Sequence, residues 1–252
     1  MVQFMGYILS GHECALFIPE DGWENVKELF DEIEMAPADS YDFIWTDDYI
    51  RATEAAGTKT FYRLGSRIEH GPKKYNTLPP KDFKKWAVIC EHIIRHYTEG
   101  WADGFHYGIR YWEVWNEADD CLDCNLSSMW CGTKEEYFRL YDITAKHLKA
   151  CFGDSIKVGG YGHCGLYEYA QDKDLCGLDH EATYIHEFTI SFLHDFLKYQ
   201  SETGAPIDFF SWHTYSYKPE TFIENAGWVR EVLDRHGYVN TESILNEWNY
   251  VR

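Results

Sequence analysis

Short runs rich in β-branched and aromatic residues recur along the chain, and longer runs between them space their apolar residues by three and four positions. The first kind of run predicts buried strands and the second predicts helices. The strand runs cover residues 13–19, 59–65, 109–117, 156–162, 207–215 and 243–249, with a weaker candidate at 2–9. The helical runs cover about 45–56, 83–97, 133–151, 183–203 and 219–236.

Several helix ends carry their own signals. Thr133 followed by Glu136 reads as a capping box, in which each side chain bonds the other residue's backbone N–H. Gly57, Gly204 and Gly237 stand just after predicted helices, where a left-handed residue ends many helices. We therefore expect the helix boundaries to lie close to these residues.

Strict alternation of strand and helix predicts parallel strands joined by right-handed crossovers. No Gly-x-Gly-x-x-Gly loop follows an early strand, so a dinucleotide-binding sheet has little support. The fold class is therefore predicted as α/β, a (β/α)8 TIM-type barrel formed by residues 1–252 as a single catalytic domain. The pattern lacks an eighth strand and most of a first βα unit, so the barrel is expected to be incomplete.

An open barrel exposes strand edges, which proteins normally cover or pair. Either a second copy of the chain completes the barrel as a homo-oligomer, or the sequence belongs to a longer enzyme. In this chain alone the last strand is held on one side only, and we expect the chain alone to be weakly active or inactive.

The net charge of the chain limits the classes of molecule that it is expected to bind. The chain has 23 basic and 42 acidic residues, a net charge of -19, so nucleic acid and anionic membrane surfaces are disfavoured. No apolar run approaches the roughly 20 residues of a bilayer span, and the first residues lack the basic region of a secretory signal. These observations predict a cytoplasmic protein without a membrane partner.

The eight cysteines are too sparse for a disulfide scaffold, and we expect all of them to be free thiols. The exception to test is the trio Cys121, Cys124 and Cys131, which would bind a structural zinc only with a fourth ligand. Candidates for that ligand are His163, Cys164 and Cys176.

Two of the predicted strands carry the same residue types at their carboxyl ends. "EVWNE" ends at Glu117, and "LNEWN" contains Glu247, each beside an asparagine and a tryptophan. In a βα barrel the carboxyl ends of the strands form the mouth, so both carboxylates are expected there. Paired carboxylates are the equipment for glycoside hydrolysis, and tryptophans such as Trp248 suit the C–H faces of a sugar.

These motifs resemble clan A retaining glycoside hydrolases, and in detail glycoside hydrolase family 39, the β-xylosidase and α-L-iduronidase-like group. "FYRLGSRIEH", "FFSWHTY" and "CGTKEEYFRLYDITAKHLKA" resemble further segments of that family. The resemblance implies that Glu117 is the acid/base, Glu247 the nucleophile and Asn116 the hydrogen-bond partner of the sugar 2-hydroxyl. Ala118 departs from the family's usual Asn-Glu-Pro.

The same resemblance implies an oligosaccharide or glycoside substrate and no cofactor or metal. His213 and Tyr215 fall where the clan places residues that contact substrate or steady the nucleophile. Trp248, Arg63 and His70 complete the expected substrate contacts. Arg63 and Glu113 also share the inward parity of consecutive strands, so we expect them to pair inside the barrel.

The resemblance leads to two expectations about the carboxylates. Their carboxyl groups should lie about 5–5.5 Å apart, as in retaining enzymes. The pKa of Glu117 should be raised by the negative charge of Glu247. The sugar stays open among xyloside, glucoside, galactoside and arabinoside.

Two other functions remain. One is a non-catalytic or weakly active carbohydrate-binding barrel that keeps the site. The other is a metallohydrolase built from the cysteines with His163, His180 or His186, although no His-x-His or His-Glu-x-x-His spacing supports it.

Overall fold

A computed structural model describes residues 38–65, 68–71, 73–120, 127–164, 166 and 180–250. Its strands are β1 (Phe61–Leu64), β2 (Tyr111–Val114), β3 (Lys157–His163), β4 (Phe209–Tyr215) and β5 (Glu242–Asn249). Its helices are α1 (Ile44–Ala55), α2 (Phe83–Thr98), α3 (Lys134–Phe152), α4 (His180–Thr203) and α5 (Pro219–Arg235). Each of these elements was predicted from the periodicity, with bounds that differ by at most a few residues. The predicted strands at 2–9 and 13–19 lie outside the described residues.

The five strands form one parallel sheet in the order β1-β2-β3-β4-β5, which curls into a half-barrel with helices outside it. The prediction of an incomplete barrel is therefore confirmed for the described part of the chain. All five carboxyl ends point to the same rim. Residues that end consecutive strands are thereby brought side by side.

The two faces of the sheet differ in chemistry. Side chains on its outer face, such as Tyr62 and Trp112, are buried in an apolar core shared with the helices, where Trp86 and Ile94 of α2 also lie. The inner face carries polar side chains, and Arg63 contacts Glu113 there. At the amino ends of the strands, Glu242 accepts hydrogen bonds from Tyr111 and Lys157 across the interior.

The predicted helix ends are confirmed. The Thr133 hydroxyl accepts from the Glu136 backbone N–H at 3.1 Å, and Glu136 Oε2 accepts from the Thr133 backbone N–H at 2.7 Å. Gly57, Gly204 and Gly237 have φ values of 74°, 71° and 86°, which lie in the left-handed region that favours glycine. In the part of the chain that is described, no helix has the length and apolar character to span a bilayer.

We expect Thr133→Ala to lower the free energy of unfolding by about 1 kcal/mol, because the N-terminus of α3 loses its cap. Thr133→Ser is the matched control, since serine keeps the hydroxyl. Urea unfolding of the three proteins measures the difference. Equal midpoints for the alanine and serine variants would show that the cap contributes nothing.

The prediction of free thiols is wrong for Cys131, which is disulfide-bonded. Cys90, Cys151 and Cys164 are free, as expected. Cys131 therefore offers no thiolate to a zinc site formed by the trio Cys121, Cys124 and Cys131. The cytoplasmic location stays a prediction, and this bond counts against it because disulfides persist mainly in oxidising compartments.

Candidate active site

Glu117 follows β2 on a backbone that turns sharply away from the strand. Trp115 and Glu117 have φ values of 72° and 44°, a region that residues other than glycine rarely adopt. Hydrogen bonds on both sides hold this turn: Trp115 N donates to Leu64 O at 2.6 Å, and Glu117 N donates to Tyr161 O at 2.9 Å. Strained backbone of this kind, costing roughly 1–3 kcal/mol per residue, is concentrated at functional sites.

Glu247 reaches the same space because β5 contains a bulge. Trp212 pairs with Leu245 but His213 pairs with Glu247, so Asn246 is the extra residue. A bulge re-aims side chains, and here two adjacent residues both contact the interior. Asn246 Nδ2 donates to Glu113 Oε1 at 2.8 Å, while Glu247 Oε1 accepts from the Tyr215 hydroxyl.

His213 lies between the carboxylates of Glu117 and Glu247, and Arg63 lies beside Glu247. His213 Nδ1 lies 2.7 Å from Glu117 Oε1 and 3.7 Å from Glu247 Oε2. Arg63 Nε donates to Glu113 Oε2 at 2.5 Å, which confirms the predicted pair, and Arg63 Nη1 lies 3.7 Å from Glu247 Oε2. One carboxylate oxygen of Glu117 and one of Glu247 lie within 4.8 Å of each other and of a His213 ring nitrogen.

The pKa expected for Glu117 is wrong in direction. Burial favours the neutral form and raises the pKa of Glu117, but the hydrogen bond and charge of His213 and the charges of Arg63 and His163 outweigh it. The net pKa of Glu117 lies below its usual value. The carboxyl group is therefore ionised at neutral pH when no substrate is bound.

Because His213 lowers the pKa of Glu117, replacing His213 should change the pH dependence of the reaction. We expect His213→Asn to raise the pKa of Glu117, because the variant removes the hydrogen bond and the charge that favour the carboxylate. The pH dependence of kcat/KM reports on the free enzyme, so its limb for Glu117 should move to higher pH. His147→Asn, which changes a histidine on α3, is the control. A limb that stays in place or moves to lower pH would contradict the assigned cause.

Glycine on β3 makes room for this cluster. A Cβ atom on Gly162 would lie 2.8 Å from Asn116 Oδ1 and 2.9 Å from His213 Nε2, and its φ is 66°. The side chain of Asn116 is buried, and its Nδ2 lies 3.9 Å from Met129 Sδ. Its Oδ1 has no hydrogen-bond partner within the described ranges. Asn116 thus lies at the cluster with a polar atom still to be satisfied.

Two predicted contacts are not brought to the cluster. Trp248 is 57% exposed, and its ring lies edge-on to Phe222 of α5, with 6.0 Å between the ring centroids. His70 is exposed on the loop after β1. Its neighbour Glu69 organises that loop by accepting from the backbone N–H groups of Tyr75 and Thr77.

A buried pair close to Glu117 was not predicted from the sequence. Asp119 and His163 are fully buried, with Asp119 Oδ2 2.5 Å from His163 Nδ1. Asp119 Oδ1 also accepts from the backbone N–H of Cys164 at 3.1 Å. Burial raises the pKa of Asp119 and raises that of the Cys164 thiol well above its usual value. The acidic residues Asp119 and Asp120, two and three positions after Glu117, were the sequence signal for this pair.

Residues 25–228 match the model of glycosyl hydrolases family 39. The chain belongs to glycosyl hydrolase family 39. It is 31% identical to a beta-xylosidase of Geobacillus stearothermophilus, over 88% of this chain and 43% of the relative. It is 32% identical to a beta-xylosidase of Caldicellulosiruptor saccharolyticus, over 85% of this chain and 36% of the relative. The chain thus spans less than half the length of these relatives.

Solved structures agree with the family 39 fold. A glucosidase from Croceicoccus marinus superposes with a TM-score of 0.68 at 26% identity, over 89% of this chain and 42% of that one. A family 39 beta-xylosidase from Caulobacter crescentus gives a TM-score of 0.57 at 21% identity, over 93% and 51% of the two chains. The match to the family model includes Glu117 and ends before β5, so the placement of Glu247 depends on the geometry above.

Proposed function

We propose that this chain carries the catalytic centre of a retaining β-glycosidase that acts on β-xylosides. The observation that carries the proposal is the distance of at most 4.8 Å between carboxylate oxygens of Glu117 and Glu247. Retaining sites separate their carboxyl groups by about 5–5.5 Å, whereas inverting sites leave roughly 6.5–9.5 Å for a water molecule. The two relatives named beta-xylosidase support the choice of sugar.

In the first step, Glu247 attacks the anomeric carbon and forms a covalent glycosyl-enzyme ester. Tyr215 donates to one oxygen of Glu247, and Arg63 lies 3.7 Å from the other, so both orient the carboxylate and stabilise its charge. Glu117 gives its proton to the glycosidic oxygen as the bond to the leaving group breaks. His213, bonded to Glu117, is the group placed to supply that proton.

In the second step, Glu117 is a carboxylate and acts as a general base. It removes a proton from a water molecule, the water oxygen attacks the anomeric carbon, and the bond to Glu247 breaks. The contacts with His213 and Arg63 that lower the pKa of Glu117 stabilise the carboxylate from which this step begins. Two displacements at one carbon return the original β configuration.

The experiment is trapping with 2,4-dinitrophenyl 2-deoxy-2-fluoro-β-xyloside. Fluorine slows both steps by destabilising the positive charge of the transition state, but the good leaving group still allows the first one. We expect one fluoroxylosyl adduct per chain in the intact mass, located on Glu247 by peptide mapping. Glu247→Gln is the matched control and should remain unlabelled. An adduct on another residue would refute the assignment of the nucleophile.

A sugar-binding barrel with little turnover is the second candidate. In the described region, β5 pairs only with β4, and it carries Glu247. A misplacement of about 1 Å can cost on the order of 100-fold in rate. Calorimetric binding of xylose or xylobiose without trapping would favour this candidate. The corresponding glucose reagents, used in parallel, test whether the sugar is a glucoside.

A further inference from the structure

A second group of chemically reactive side chains lies on the outer helices. Glu91 on α2 faces His147 and Cys151, which are four residues apart on one side of α3. His147 Nε2 lies 2.6 Å from Glu91 Oε2, and Cys151 Sγ lies 3.8 Å from His147 Nε2. One ligand atom from each residue lies within 4.8 Å of the other two. None of the three residues belongs to the cluster around Glu117.

We propose that Glu91, His147 and Cys151 form a binding site for a divalent transition-metal ion of the zinc class. Carboxylate oxygen, imidazole nitrogen and thiolate sulfur are the three ligand types that zinc takes in proteins. Magnesium and calcium prefer oxygen ligands alone, so a site with nitrogen and sulfur selects against them. Cys151 is exposed, and water can complete a tetrahedral shell from that side.

The distances fit such an ion after a small adjustment. Metal–ligand bonds of roughly 2.0–2.3 Å in a tetrahedron hold the ligand atoms about 3.3–3.7 Å apart. The separation of 3.8 Å between Cys151 Sγ and His147 Nε2 is already close to this range. The Glu91–His147 separation of 2.6 Å has to open by about 1 Å for the ion to bind between them.

Arg95 supports the carboxylate. Its Nε donates to Glu91 Oε1 at 2.8 Å, which leaves Oε2 directed at His147. Ligating carboxylates are commonly oriented by such a second hydrogen bond. The guanidinium is held in place by Glu99 and by the ring of Phe152, 4.9 Å away. The complex of a divalent ion with one carboxylate and one thiolate carries no net charge, so Arg95 faces no net positive charge in the complex.

Metal binding here is expected to release a proton. Zinc-class ions bind cysteine as the thiolate, so the thiol proton leaves when the ion binds and the affinity should increase with pH. A bound ion would join α2 to α3 and stabilise the folded state.

Cobalt(II) is the probe, because a cysteine thiolate bound to it gives an intense charge-transfer absorption. The cluster of Glu117, His213 and Glu247 contains no sulfur and is silent in this measurement. With no reductant added, so that the disulfide of Cys131 stays intact, we expect the absorption to saturate at one equivalent. Zinc should then displace the cobalt and abolish the absorption.

Variants assign the signal to this site. Cys151→Ser and His147→Gln should each abolish the absorption, and Glu91→Gln should weaken cobalt binding by about 10-fold or more. Cys164→Ala removes another free thiol and should leave the absorption unchanged. Far-UV circular dichroism checks that each variant is folded, and His147→Gln decides the question if the serine variant is not. No absorption, or absorption that survives His147→Gln, would overturn the proposal.

Discussion

Replacing Glu247 by glycine is expected to lower the turnover of an aryl β-xyloside on the order of 10⁴-fold or more, because the covalent intermediate can no longer form. The cavity left by the side chain lies beside Tyr215 and Arg63, which bind Glu247 in the intact site. Azide is small and anionic, so it should enter this cavity and attack the anomeric carbon in place of the carboxylate. That single displacement inverts the configuration.

The product therefore identifies the role of the residue. Glu247→Gly with azide should yield α-xylosyl azide, which NMR distinguishes from the β anomer by the coupling constant of the anomeric proton. Glu242→Gln is the matched control, because Glu242 is on the same strand but lies at the opposite end, bonded to Tyr111 and Lys157. Its turnover should remain near that of the parent. Recovery of the β-azide from Glu247→Gly would assign Glu247 a different role.

The fold was predictable because its signals are local. A strand of a parallel sheet and an amphipathic helix each have a periodicity that a short window contains, and caps such as Thr133 and Gly237 add the boundaries. Parallel strands carry their carboxyl ends to one rim, which is why Glu117 and the region of Glu247 could be placed together. The fold and the shared rim could therefore be predicted without knowing any side-chain contacts.

The pKa of Glu117 was not predictable in the same way. The sequence offered Glu247 as a charged neighbour, whose repulsion would raise the pKa. The hydrogen bond from His213 joins residues 96 positions apart, and it depends on the turn at Trp115 and Glu117. Such tertiary contacts have no periodic signal, and here they reverse the direction of the shift.

The position of Trp248 follows from the alternation of side chains along a strand. Adjacent residues of a strand point to opposite faces, so a residue next to Glu247 is expected to face away from it. Trp248 accordingly lies against Phe222 of α5. Asn246 escapes this rule only because of the bulge at Trp212 and His213, which the sequence did not indicate.

Replacing Glu117 by alanine is expected to affect substrates according to their leaving groups. For xylobiose, whose leaving group needs a proton, kcat/KM should fall by about 10²–10⁴-fold, the usual contribution of a general acid. For 2,4-dinitrophenyl β-xyloside the leaving group departs as a stable anion, so kcat/KM should remain near that of the parent. The second step still lacks its base, and the intermediate should accumulate as a burst of dinitrophenol.

The product formed with azide distinguishes the acid/base role of Glu117 from the nucleophilic role of Glu247. In Glu117→Ala, Glu247 still forms the glycosyl-enzyme, and azide then attacks it from the side that the missing carboxylate occupied. Two displacements give β-xylosyl azide, the opposite anomer to the product of Glu247→Gly. Because His213 Nδ1 lies 2.7 Å from Glu117 Oε1, His213 also loses this contact in the variant, and His213→Asn alone serves as the control. A uniform loss across all leaving groups, with no burst and no azide product, would show that Glu117 is not the acid/base.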